Sequence, residues 1–294
     1  MEQLHRFLAK YLRTVRGPYA EHMLDVLQRQ GVGALQECYA PKPGAFRTSS
    51  DYGQAALAYG IVEKLRLPSN ARARTAATLD DFWKSEHQCH TTNQRLKRYR
   101  LQLTGLLPVE VEDMHYLQLI EAWRQELKAA LGPLPPRLEP AFSGGSTLSD
   151  AGKQTTIPDK LSSVPTVYPG GNAIWAHSVQ DTVLDARRPL AVTHNRFFEV
   201  PKNSKKNRGC CMEASGSLML QLAVGRVLKK RYHKRYQVDL RYAKPLHMEL
   251  ARTSSVDGRY ATIDLSRASD TMARELVELL LPSSWLGLLK SLRA

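Results

Sequence analysis

The 294 residues carry 42 Lys/Arg against 28 Asp/Glu, a formal net charge of +14, and 43% apolar side chains, which suffices for a folded core and about two structural units. The basic balance favours an acidic partner, a nucleic acid fitting better than a membrane surface. No segment reaches the roughly 18 apolar residues of a membrane span, Met1-Glu-Gln-Leu-His-Arg6 lacks a signal peptide's apolar core, and Cys38, Cys89, Cys210 and Cys211 show no CxxC spacing, which suits a reducing cytoplasm.

In chain order, Leu4, Phe7, Leu8, Tyr11, Leu12 and Val15 form one stripe of a core-facing helix. Residues 19–37 read as helix, with a break near Pro41-Lys-Pro-Gly44. Residues 54–66 read as a helix that ends before Pro68. A long helix is expected over 79–101. Asp80 and Asp81 read as acids in its first turn rather than as metal ligands. His87, Cys89 and His90 lack the second ligand pair a zinc site needs. Another helix spans 109–131 and is ended by Gly132-Pro133. The N-terminal part is therefore mostly α, without internal repeats.

Proline and glycine crowd residues 132–172. A flexible linker is the plain reading, although Ser143-Gly-Gly-Ser146 would let backbone approach a phosphate. Residues 191–200 read as a strand. Pro201 then bars a central strand, so Lys202, Lys205, Lys206 and Arg208 belong to a loop or a strand edge. Lysine as a point charge and arginine as a bidentate fork both suit a triphosphate. Residues 201–241 hold 11 Lys/Arg against Glu213 and Asp239, which is +9 of the chain's +14. A solvated basic face is the plain alternative. Ser215 to Tyr232 reads as an amphipathic helix burying Leu218, Leu222 and Val224 to Leu228. Lys229, Lys230, Arg231, Lys234 and Arg235 at its end either complement the helix dipole or track RNA phosphates, with Tyr232 and Tyr236 available for base stacking.

The segment Tyr260-Ala-Thr-Ile-Asp-Leu-Ser-Arg-Ala-Ser-Asp270 alternates apolar and polar residues, which predicts a strand with Asp264 at its C-terminal edge. Open α/β sheets bind ligands at that edge. Met272, Leu276, Leu279 and Leu280 then predict a helix with Ser269 or Asp270 as N-cap, stopped by Pro282. Two carboxylates at a strand-to-helix junction suit a divalent metal and a nucleotide. An ordinary strand end followed by an N-cap gives the same pattern.

Taken together these segments resemble the replicase β subunit of the single-stranded RNA bacteriophages (leviviruses), an RNA-directed RNA polymerase. Ser85-Glu-His-Gln-Cys-His-Thr-Thr-Asn-Gln-Arg-Leu96 is similar to a stretch of the family's N-terminal region, and Phe142-Ser-Gly-Gly-Ser-Thr147 to its glycine turn. Val200 to Arg208 resembles the basic fingers motif F, Gly258 to Asp270 resembles palm motif A, and Glu278 to Trp285 the end of the following helix. The order is the family's, from about residue 80 onward.

The resemblance implies an α+β right-hand polymerase fold: a helical N-terminal region (1–132), fingers (133–258) and the start of an antiparallel palm (259–294). It implies that Asp264, with the neighbouring Leu265 carbonyl, holds catalytic Mg²⁺ (or Mn²⁺), in a pair that activates a 3′-hydroxyl and steadies pyrophosphate. Asp270 would sense the ribose 2′-hydroxyl. Lys202, Lys205 and Arg208 would clamp the incoming triphosphate, whereas Lys206 falls on the opposite side of the segment. The implied partners are RNA template and product, nucleoside triphosphates, the host elongation factors Tu and Ts and ribosomal protein S1, in the cytoplasm of an infected bacterium.

One departure matters. The family's Gly-Asp-Asp metal motif and the template-binding motif before it are not in these residues. One carboxylate cannot hold two ions, so the chain by itself is expected not to polymerise RNA. It reads as the N-terminal part of a polymerase, with a split enzyme completed in trans or a non-catalytic RNA-binding module as alternatives.

Overall fold

The computed structural model describes residues 1–294 apart from the side chain of Pro68. The chain forms two compact units. The first comprises Met1–Trp83 and Phe198–Cys210, the second Lys84–Phe197 and Cys211–Ala294. These packing boundaries differ from the divisions at 132 and 258, which are the functional regions that the resemblance implies.

In the first unit, α1 (Glu2–Thr14), α2 (Pro18–Gln30) and α3 (Ser49–Lys64) pack around Leu8, Leu12, Met23, Leu27, Leu35 and Val62. The stripe read for α1 is buried at Leu8 and Leu12, while Phe7 faces solvent. The helix expected over 19–37 stops at Gln30, because Gly31 takes φ +84°. Thr48 caps α3 by accepting the Asp51 N–H at 3.1 Å. Helix α4 (Ala71–Leu103) begins eight residues earlier than expected and runs from the first unit into the second. Asp80 and Asp81 therefore lie inside the helix, not in its first turn.

The second unit contains α5 (Met114–Leu131), α6 (Ile157–Ser162), β1 (Thr166–Val167), α7 (Asn172–Val179) and β2 (Leu190–Ala191). β1 and β2 are parallel, with Thr166 opposite Leu190 and Val167 opposite Ala191. The strand read over 191–200 is thus two pieces, β2 and β3 (Arg196–Pro201). β3 pairs with β4 (Asn207–Met212), and a five-residue connection permits only an antiparallel hairpin. α8 (Ser215–Tyr236), α9 (Ala243–Asp257), α10 (Arg274–Leu280) and α11 (Ser283–Ser291) follow.

α8 buries Met219, Leu220, Ala223 and the expected Val224 against Val167, Trp175 and Trp285, while the expected Leu218, Leu222, Val227 and Leu228 are only partly buried. Its start is crowded. A Cβ on Gly216 would sit 2.7 Å from Val167 Cγ1 and 2.8 Å from Trp175 Cζ3, so only glycine lets the helix approach β1 this closely. The helix-rich chain with two small sheets is consistent with an α+β class.

The largest departure is at 260–265, where there is no strand. Ile263 and Leu265 are 83% and 69% exposed. Alternation is a statement about a pleated surface, and a strand exists only against a neighbour. Among the described residues every strand is already matched in its own two-stranded sheet.

Candidate functional site

The basic loop is built by the hairpin. Asn203 Oδ1 accepts the N–H groups of Lys205 and Lys206 at 3.1 and 2.9 Å, an Asx turn that folds the tip. Buried Ser204 donates its N–H to the Glu63 carbonyl at 2.7 Å. At the far end Asn207 donates its N–H to Thr78 Oγ1 at 2.9 Å and receives Arg66 at 2.9 Å. Its partner on β3, Glu199, accepts Thr75 Oγ1 at 2.8 Å. Lys202, Lys205 and Arg208 are exposed and, among the described residues, make no side-chain hydrogen bond or ion pair. Lys206 turns inward and pairs with Asp81. The loop position, the three outward cations and the opposite-facing fourth agree with the sequence reading of this segment.

The segment that resembles motif A lies in the second unit. Asp264 sits on exposed coil, and its carboxylate has no hydrogen bond or ion pair among the described residues. Residues 266–271 form turns, and Arg267 takes φ +56°. Asp270 does not cap a helix: α10 starts at Arg274 with Ala273 as N-cap. Met272 lies outside that helix and is exposed, while Leu279 is buried. The segment is tied down by α4. Cys89 Sγ lies 3.4 Å from the Asp270 carbonyl, Asn93 Oδ1 accepts the Glu275 N–H at 2.9 Å, and Arg100 Nε meets the buried Glu275 carboxylate at 2.9 Å. Cys89 and Asn93 belong to the stretch 85–96 singled out in the sequence. Their contact with the motif A segment was not legible there, being some 180 residues distant along the chain.

The Pro/Gly-rich region is ordered, not a free linker. The exposed Ser143-Gly-Gly-Ser146 turn is held at both flanks. Gly145, at φ +103°, donates its N–H to the Thr155 carbonyl at 3.0 Å. Lys160, almost fully buried, reaches the Ser143 carbonyl at 2.7 Å, and burial pushes its pKa down while Asp150 opposes that shift. Thr147 donates to buried Asp150 at 2.6 Å, and Ser149 Oγ lies 2.7 Å from Ser215 Oγ at the head of α8.

Of the five cations assigned to the end of α8, two are engaged inside the protein. Arg231 donates to the Leu131 carbonyl and stacks 5.0 Å from the Trp285 ring centre. Arg235 grips both oxygens of Glu126 on α5 at 3.0 and 2.8 Å, and Tyr236 Oη adds a third hydrogen bond at 2.8 Å. Lys229, Lys230 and Lys234 remain exposed. Tyr236 is tethered by its hydroxyl and its ring lies 4.9 Å from that of Tyr232.

The Glu126 clasp carries a pH signature. Hydrogen bonds from Arg235, then Tyr236, pull the Glu126 carboxyl from 4.5 down to about 2. A depressed folded pKa means the clasp's contribution is complete above the unfolded value and fades as pH falls from about 4.5 towards 2. The melting temperatures of the parent protein and Glu126→Gln should differ by a constant amount above pH 5 and converge on acidification. A gap that stays constant down to pH 2.5 would show that Glu126 does not titrate this way.

Comparison with known proteins matches residues 34–294 to the family described as RNA replicase, beta-chain. The chain belongs to this family. The "RNA-directed RNA polymerase subunit beta" of Enterobacteria phage SP is 30% identical over 241 residues, 74% of this chain and 38% of that protein. The protein of the same name from Qbeta virus (strain MX1) is 27% identical over 286 residues, 94% of this chain and 46% of that protein. The "RNA-directed RNA polymerase beta chain" of Escherichia phage MS2 is 39% identical over 103 residues, 35% of this chain. The chain thus spans less than half the length of these replicase relatives. Among the described residues, no helix is long and apolar enough to cross a membrane.

Proposed function

We propose that this chain is the fingers-side part of an RNA phage RNA-directed RNA polymerase with a right-hand fold, working in template-directed nucleotidyl transfer. Support comes from its family and from Lys202, Lys205 and Arg208, which stand exposed on an ordered hairpin with no side-chain hydrogen bond or ion pair among the described residues, as a triphosphate clamp requires. Lys202 and Lys205 act as point charges on phosphate oxygens, and Arg208 as a two-pronged donor. Lys229, Lys230 and Lys234 follow RNA phosphates. Asp270 reads the 2′-hydroxyl. The regions 1–132, 133–258 and 259–294 serve as N-terminal region, fingers and start of the palm. RNA, nucleoside triphosphates, elongation factors Tu and Ts and ribosomal protein S1 are the partners of the whole enzyme.

The donors at hand fall short of a two-metal centre. Asp264 with the Leu265 carbonyl is one arm of it, and among the described residues no three His, Cys, Asp or Glu side chains converge. On this reading a working centre for Mg²⁺ or Mn²⁺ takes further carboxylates besides Asp264. The solvent-facing Ile263, Leu265 and Met272 suit cover by the rest of a palm.

Lys202→Ala combined with Arg208→Ala tests the clamp. Each charge-assisted contact is worth about 1.5–3 kcal/mol, so in a polymerase that contains this chain the pair should raise the nucleotide KM by roughly 10²-fold or more, with kcat little changed. If only RNA affinity falls, the triphosphate role is wrong.

A further inference from the structure

We propose that Asp81 is a positioning residue for the nucleotide clamp, its ion pair with Lys206 holding the 202–206 tip in the shape that presents Lys202, Lys205 and Arg208 together. The inference rests on the triphosphate reading above.

The tip has a face that looks out and a face that is tied down. Thr75, Thr78 and Asp81 recur every three residues and share one side of α4. They meet Glu199, the Asn207 N–H and Lys206 in turn, so a single row on the helix follows the hairpin from β3 across to its tip. The first two rungs fix the strands. The third is the ion pair on the tip itself. It is about one-third exposed on either side, sheltered enough to be screened less than a surface pair.

Four cations fall within residues 202–208. With Lys206 neutralised by Asp81, three of them face out and the fourth serves as the anchor. Without Asp81, Lys206 becomes a fourth like charge beside the others, and the tip loses its charged tie to α4. Two outcomes then compete. The added charge strengthens attraction to a triphosphate, whereas loss of the anchor scatters the three donors. Misplacement of binding groups by about 1 Å costs as much as 10²-fold in a positioned site, so the second effect dominates.

Titration of GTP with Mg²⁺ into the 294-residue protein tests this. Asp81→Asn should bind on the order of tenfold more weakly than the parent, and Lys206→Met likewise. The exchanged pair Asp81→Lys with Lys206→Asp should recover most of the loss, which a general folding defect would not do. Melting curves of the same variants separate unfolding from mispositioning. Equal or tighter binding by Asp81→Asn, or failure of the folded exchanged pair to recover binding, overturns the proposal. Lys202→Ala with Arg208→Ala tells the two readings apart. If that variant binds GTP like the parent, or the parent does not bind, the triphosphate reading falls and this proposal with it. If that variant loses binding while Asp81→Asn keeps it, only the role of Asp81 falls.

Discussion

Replacing Asp264 by asparagine in a polymerase that contains this chain is expected to reduce RNA synthesis about 10³-fold or more, with RNA binding and melting temperature unchanged. The size follows from losing an interaction worth several kcal/mol in the transition state, at about 1.4 kcal/mol per tenfold in rate. Asparagine keeps the shape and removes the charge, and hard cations select charged oxygen ligands. The silence on stability follows from the surroundings. Asp264 lies on exposed coil, with no hydrogen bond or ion pair from its carboxylate among the described residues, so the fold has nothing to lose there. Filter binding of template RNA and single-nucleotide extension, measured on the same preparation, check the two halves separately. Synthesis at the parent rate would remove Asp264 from the reaction. A fall in melting temperature of several degrees would mean that the coil is packed, and the loss of synthesis would need another cause.

The second large effect concerns stability. Trp285→Ala should destabilise the second unit by about 3–5 kcal/mol, the cost of emptying a buried aromatic site. Trp285 is 1% exposed in the core formed with Trp175, Val179 and Met219. Its indole N–H donates to the Gly132 carbonyl at 2.8 Å, which satisfies the chain just past the end of α5. The Arg231 guanidinium covers its face. Trp285→Phe keeps most of the burial but leaves that carbonyl without its donor, at a cost of about 1–3 kcal/mol. Chemical denaturation of both variants should rank them parent, Phe, Ala. An alanine variant within about 1 kcal/mol of the parent would contradict the burial of Trp285 in this core.

What the sequence could reveal depended on how far apart the determining residues lie. Helices α1, α3 and α5 are legible because their apolar spacing and their breakers are local; Gly132, at φ +58°, ends α5 where expected, although α3 starts five residues before and α5 five residues after the expected position. α9 is not legible: Leu246, Met248 and Val256 face solvent, only Ser254 is buried, and no apolar stripe forms. The stretch 260–265 is misleading for the opposite reason. It has a strand's alternation, but pairing is a property of neighbours that this stretch lacks. At the site, Pro201 and the lysine cluster foretell a basic loop. The division of labour within it rests on Asp81, 125 residues from Lys206. Arg231 and Arg235 look like their lysine neighbours in the sequence, yet their partners are Leu131 and Glu126, 100 and 109 residues away.

The discontinuous first unit has a consequence for the order of events on the ribosome. Its apolar core is encoded by residue 67 and its share of α4 by residue 83, but the hairpin segment that completes it begins only at Phe198. At about 5–20 residues per second, the roughly 115 intervening residues take about 6–23 s to synthesise. Throughout that interval the Thr75, Thr78 and Asp81 face of α4 stands without its hairpin partners. The basic tip is therefore a late addition to a scaffold that can mature ahead of it, and a nascent chain halted between residues 83 and 198 would hold the segments of the helical core but no basic tip.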